Sequence, residues 1–152
     1  MLALAMACGP VLAAGDPPAE TRDPVMEKAA AATKRQDWAG AADVLKSGLA
    51  TDPNNASYHN LYAYSLRKGA NPDMNLVFKH YNEALRIDPK HRGAHEYIGE
   101  AYLMLDNLPK AKEHLATLNS LCFITCGEYR DLKRAVDAYE KSGGKSKPTA
   151  AR

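Results

Sequence analysis

Two cysteines near the carboxyl end, Cys122 and Cys126, are the residues whose type and spacing point most directly to chemistry. On a regular helix, residues four apart have β-carbons about 5–6 Å apart, whereas a disulfide needs about 3.8 Å. Ile124 and Thr125 are β-branched and Gly127 follows, so the chain can leave the helix between the cysteines. Three interpretations stay open: a structural disulfide, free or redox-active thiols, and a metal site of the copper-handling type.

A metal site would need a histidine or methionine beside the two thiolates. The sequence has five histidines, but none lies between or directly after the cysteines, and His114 lies two turns upstream. His91 and His95 are four apart, but His91 follows Asp88-Pro89 and is predicted to lie in a turn. The sequence contains no HExxH, no carboxylate at zinc-ligand spacing, no glycine-rich phosphate loop and no nucleophile motif. We therefore predict surface or groove histidines, no catalytic residue, no metal and no cofactor.

The composition is that of an ordinary globular protein, with 45% hydrophobic and 25% charged residues among 152. This length supports one domain with a real core. The formal net charge of +2 is too small to indicate nucleic acid, so no nucleic-acid partner is expected. Residues 142–152 form a basic tail rich in small and turn-forming residues, which we expect to be disordered.

The amino-terminal segment differs from the rest of the chain, because residues 2–14 carry no charge and are mostly small or apolar. Such a run is too short to span a bilayer but fits the apolar region of a secretory signal, although basic residues do not precede it. We predict a signal peptide at 1–14, a linker at 15–23 and a periplasmic or secreted mature protein without stable membrane insertion. Removing the signal removes Cys8 and leaves an even pair of cysteines, which an oxidising compartment favours as a disulfide.

The elements that position these residues repeat along the chain. Segment 38–56 aligns with segment 76–94, since each has an apolar helical stripe, a small residue and then Asp-Pro, at Pro53 and Pro89. Segment 108–122 repeats the stripe without the Asp-Pro ending. Because proline cannot continue a helix, the pattern predicts an all-α protein with three helix-turn-helix units. The first helix of each unit is predicted at 25–35, 57–69 and 94–107.

Period, pairing and key residues together resemble the tetratricopeptide repeat, whose unit has 34 residues. In the third unit, Ile98-Gly99, Tyr102, Ala111 and Leu115 fall where the family has Leu-Gly, Tyr, Ala and a bulky apolar residue. The chain as a whole looks similar to short signal-bearing bacterial proteins that have this repeat and a carboxyl-terminal CxxxC. The resemblance implies a right-handed α-solenoid, in which Gly99 lets the two helices of its unit cross closely. An amphipathic pattern at 128–141 predicts a capping helix and a folded domain at 24–141.

The resemblance also implies that the first helices line a concave groove for an extended peptide or a partner helix. Glu96 and Glu100, one turn apart, stand where some family members clamp a carboxylate with basic groups, so a basic or mixed-charge partner is expected. The predicted function is a non-catalytic adaptor or assembly factor. The alternative is copper or thiol handling through Cys122 and Cys126. The family's pattern gives the groove residues as Met26, Ala30, Lys34, His59, Ala63, Arg67, Glu96, Glu100 and Met104.

Overall fold

A computed structural model describes residues 23–144, which form seven α-helices and no strand, so the predicted all-α fold is confirmed. The predicted signal, most of the linker, Cys8 and most of the tail lie outside the described residues. No helix within 23–144 is long and apolar enough to cross a membrane. The helices are α1 (Pro24–Lys34), α2 (Trp38–Thr51), α3 (Ala56–Lys68), α4 (Met74–Ile87), α5 (Arg92–Met104), α6 (Leu108–Leu121) and α7 (Gly127–Lys141).

Short polar side chains begin six of the described helices by accepting hydrogen bonds from the free backbone N–H groups of the first turn. Asp52 and Asp88 end α2 and α4, each directly before a proline, so the predicted Asp-Pro stops are confirmed. Cys122 takes the same position at the end of α6, where no proline follows. The six capping residues are Asp23, Asp37, Asn55, Asp73, His91 and Asn107.

The helices pack in chain order, and α3 also contacts α5 while α5 contacts α7. The core is divided into three clusters, each joining one helix pair to the first helix of the next pair. In the last cluster, Leu132, Val136 and Tyr139 of α7 pack against Leu103, Ala111 and Leu118. Helix α7 therefore lies where the first helix of a fourth pair would begin, and it covers the apolar face of the third pair. The solenoid arrangement and its right-handedness stay predictions.

Gly99 is buried in α5, and the reason is a close approach between helices. A β-carbon built on Gly99 would lie 2.6 Å from Cδ2 of Leu132, which belongs to α7. The predicted neighbour, the second helix of the same pair, is therefore wrong. The glycine sets the distance between the third pair and the helix that covers it.

Candidate functional site

An open cleft of about 510 Å³ lies between α3, α5 and α7. These three helices are the first helices of the second and third pairs and the helix that follows them. The lining includes aromatic side chains, three carboxylates and three basic groups, so the cleft combines ring faces with charges of both signs. Its lining residues are Tyr64, Arg67, Lys68, Glu96, Tyr97, Glu100, Asp131, Arg134, Ala135 and Ala138.

Arg67 is the central cation of the cleft, and only 8% of the residue is exposed. Its Nη2 donates to Oε2 of Glu100 across 2.6 Å, and its Nε donates to the hydroxyl of Tyr81 across 3.2 Å. Its Nη1 also lies 3.7 Å from the sulfur of Met104. A guanidinium buried with this many partners is held in one position. The charge of Arg67 is therefore already neutralised by Glu100.

Two aromatic rings, Tyr64 and Tyr97, line the cleft, and Trp38 packs against the first of them. Tyr64 and Tyr97 have ring centroids 4.6 Å apart, and Trp38 meets Tyr64 edge-on at 5.8 Å. The guanidinium carbon of Arg67 lies 5.5 Å from the Tyr64 centroid and 6.0 Å from the Tyr97 centroid. Lys68 places its ammonium 5.7 Å from the Trp38 centroid. Both basic groups of α3 thus rest on aromatic faces.

Glu96 is the carboxylate of the cleft whose surroundings disfavour its charge. The residue is 8% exposed and makes no hydrogen bond or ion pair within residues 23–144. Burial first, and then the negative charges of three carboxylates, Glu100, Asp131 and Glu128, raise its pKa to about 8, while Arg67 opposes them. Glu96 is therefore mostly protonated at neutral pH.

The predicted groove residues divide into those that meet in the cleft and those that do not. Arg67, Glu96 and Glu100 line it, and Met104 contacts Arg67. Lys34 is exposed in the last turn of α1 and is not among the lining residues.

His59 was predicted in the groove, but it lies between α3 and α4 with only 8% of the residue exposed. Its Nε2 lies 2.9 Å from the carbonyl oxygen of Pro53, and its Nδ1 lies 2.8 Å from Nδ1 of His80. Both ring nitrogens are occupied inside the fold and His59 does not line the cleft, so its role in binding a partner stays a prediction. The ring instead ties the Asp-Pro turn to the second helix pair.

The same arrangement recurs in the third pair. Nε2 of His95 lies 3.0 Å from the carbonyl oxygen of Pro89, and its Nδ1 lies 2.9 Å from Nδ1 of His114. Because the carbonyl oxygen can only accept, Nε2 of His95 carries the proton, and in the neutral ring its Nδ1 accepts from His114. The prediction of surface or groove histidines is therefore wrong for these pairs.

In each histidine pair, the two facing Nδ1 atoms share one proton, in a single hydrogen bond. Burial, and next the facing His59, lower the pKa of His80 to about 4. Burial likewise lowers the pKa of His114 to about 4, with His95 as the next cause. His80 and His114 are therefore neutral at physiological pH, and each pair is a structural contact.

The cysteine segment leaves the helix as the sequence predicts. The sulfur atoms of Cys122 and Cys126 lie 2.00 Å apart, and their α-carbons lie 5.7 Å apart. Cys122 ends α6 and Cys126 precedes α7, so the pair fixes the turn between these helices. Phe123 and Ile124 project from the turn and are exposed. Within residues 23–144, no three His, Cys, Asp or Glu side chains are grouped to hold a metal ion.

Several cleft residues were not predicted from the sequence. Tyr64 shares the helical spacing of Leu61, and Tyr97 directly precedes a buried isoleucine, so neither stands out from the core pattern. Asp131 and Arg134 belong to a helix predicted only as a cap. The spacing of Asp131, Ala135 and Ala138 along one face of α7 is the signal that could have placed them together.

Comparison of the sequence with models of known protein families finds no match. Comparison with curated proteins finds no similar sequence either.

Proposed function

We propose that this protein is a non-catalytic adaptor or assembly factor that holds a peptide or partner protein in the cleft between α3, α5 and α7. The observation that carries the proposal is that three helices from successive units leave one open cavity of about 510 Å³. Tyr64, Tyr97 and Arg67 in its wall are of the types enriched where proteins bind each other. Their packing also holds them in position before a partner arrives, which lowers the entropic cost of binding.

We also propose that the chain belongs to the tetratricopeptide repeat family. Three helix pairs packed in chain order support this proposal. The histidine contacts support it too, because His59 bonds to Pro53 and His95 bonds to Pro89 at equivalent places in successive units. A repeat that reproduces such a buried polar contact is one structural unit used more than once.

We propose further that the mature protein works in the periplasm or outside the cell, with Cys122 and Cys126 as a structural disulfide. What supports this is the position of the two cysteines at the two ends of one turn, between α6 and α7, since disulfides persist in oxidising compartments. Copper or thiol handling would need both thiolates free and a further ligand nearby. His114, the nearest histidine along the chain, already bonds to His95.

Site-specific photocrosslinking in the source cells tests the adaptor function. A benzophenone amino acid replaces Tyr97 in the cleft, and in a matched control it replaces Lys79, which is exposed on α4. We expect irradiation to attach a discrete partner protein at position 97 and not at position 79. The same adducts at both positions, or none at position 97, would refute the proposal.

A further inference from the structure

The charges that line the cleft are satisfied within the fold at every position except one. Arg67 pairs with Glu100 across 2.6 Å. Arg134 pairs with Asp131, and Lys68 lies over the ring of Trp38. Among the charged lining residues, only Glu96 has no hydrogen bond, ion pair or ring contact within residues 23–144.

A buried carboxyl group without a partner is costly, so proteins usually pair such a group or replace it. Glu96 is more than nine-tenths buried, and it still lines an open cavity. The groups around it come from all three helices: Tyr64 and Arg67 on α3, Tyr97 and Glu100 on α5, and Glu128, Asp131 and Arg134 on α7. The two arginines among them are paired with other carboxylates, and Lys68, the remaining cation of the lining, lies over the ring of Trp38. The group that would complete this site is a cation from outside the chain.

We infer that the cleft binds a cationic side chain, the lysine or arginine of a partner protein, through an ion pair with Glu96 beside Tyr64 and Tyr97. The inference rests on the proposed function and adds the chemistry of its ligand. The ligand's cation would lie between the carboxylate and the face of a tyrosine, which is a favourable place for an alkylammonium. On binding, Glu96 loses its proton to solvent and the ion pair forms, so one proton is released for each cation bound.

The test uses a blocked pentapeptide, acetyl-Gly-Ser-Lys-Ser-Gly-amide, and the same peptide with Nε-acetyl-lysine. Methyl groups of alanine are labelled with ¹³C in the full chain, because Ala135 and Ala138 line the cleft and can be observed at any pH. We expect the lysine peptide to shift both methyl signals while Ala41, buried in α2, stays unchanged. The acetylated peptide should bind about tenfold more weakly or worse.

Two further arms isolate Glu96. Because Glu96 must ionise, the affinity of the lysine peptide should rise about tenfold or more between pH 6 and pH 9. The Glu96→Gln variant, which matches the protonated acid in shape, should bind the lysine peptide about tenfold more weakly and without this pH dependence. The matched control is Asp43→Asn, which removes one negative charge from the exposed face of α2 and should bind like the wild type.

Equal binding of the acetylated peptide, unchanged affinity of Glu96→Gln, or no methyl shift with the lysine peptide would each overturn the inference. These outcomes are distinguishable from failure of the proposed function. A partner crosslinked at position 97 together with no lysine binding leaves the adaptor function and removes the cation site. Lysine binding without any crosslinked partner removes the adaptor function and leaves the cation site.

Discussion

Two sets of titratable groups should make the stability of the protein depend on pH between pH 5 and pH 8. Folding lowers the pKa values of the first set and raises the pKa of the second. The first set is His80 and His114, whose pKa values are lowered to about 4 from the ordinary value of 6.5. Folding therefore favours the neutral rings. Their contribution to the free energy of unfolding is complete above pH 6.5 and is lost as the pH falls towards 4.

The second set is Glu96, whose pKa is raised to about 8 from the ordinary value of 4.5. Here folding favours the protonated acid. Its contribution to stability is complete below pH 4.5 and is lost as the pH rises towards 8. Each group changes the free energy of unfolding by about 1.4 kcal/mol per pH unit inside its own window.

The two sets together predict a maximum of stability near pH 6.5. Below that pH the two histidines outweigh the one glutamate, and above it only the glutamate acts. Integrating the three contributions gives a protein about 1 kcal/mol less stable at pH 5 and at pH 8 than at the maximum. The measurement is urea unfolding at constant ionic strength, followed by far-UV circular dichroism.

Variants separate the two limbs of this curve. Glu96→Gln removes the alkaline limb, so stability should rise steadily from pH 5 to pH 8, by at most about 4 kcal/mol. Solvent screening lowers the histidine and Glu96 contributions alike, so the wild-type maximum stays near pH 6.5. His80→Asn with His114→Asn keeps an N–H that can donate to the facing ring but cannot titrate there. That variant should lose most of the acid limb, because of the three histidines with lowered pKa values only His91, lowered mainly by burial, still titrates.

Asp43→Asn is the control and should follow the wild-type curve. The reasoning is refuted if all four proteins share one pH profile, or if Glu96→Gln still loses stability above pH 6.5. Either result would mean that these groups titrate alike in the folded and unfolded chains.

Two further changes test the packing. Gly99→Ala should lower the free energy of unfolding by about 1 kcal/mol, because displacing the buried Leu132 costs more than the roughly 1 kcal/mol gained from helix propensity. Urea unfolding measures this change, and a variant more stable than the wild type would contradict the close approach of the two helices. Cys122→Ser with Cys126→Ser should lower the free energy of unfolding by about 2 kcal/mol, the chain-entropy value for so short a loop. Mass spectrometry of the wild type, treated with an alkylating reagent without reduction, should find neither cysteine alkylated. Alkylation of either cysteine would contradict the disulfide.

The helices could be predicted from the sequence because their signals are local. The apolar stripes, the polar caps and the Asp-Pro stops each act within one or two turns, and the structure places the helices within a few residues of the predicted segments. The histidine pairs could not be predicted in this way, since each joins two helices across 21 and 19 residues of chain. Their signal lay in the repeat itself, because His59 and His95 follow Pro53 and Pro89 by the same six residues.

The cleft depends on a contact that neither local pattern nor repeat period specifies. Helix α7 packs Leu132 against the backbone of Gly99, while Asp131, the adjoining residue, lines the cleft opposite Glu96. The approach of α7 to α5 therefore sets both the burial of the core and the width of the cavity. It also sets the negative charge that Glu96 experiences, because Asp131 and Glu128 belong to α7. A side chain at position 99 would move this helix outwards, so the stability of the third pair and the properties of the cleft should change together.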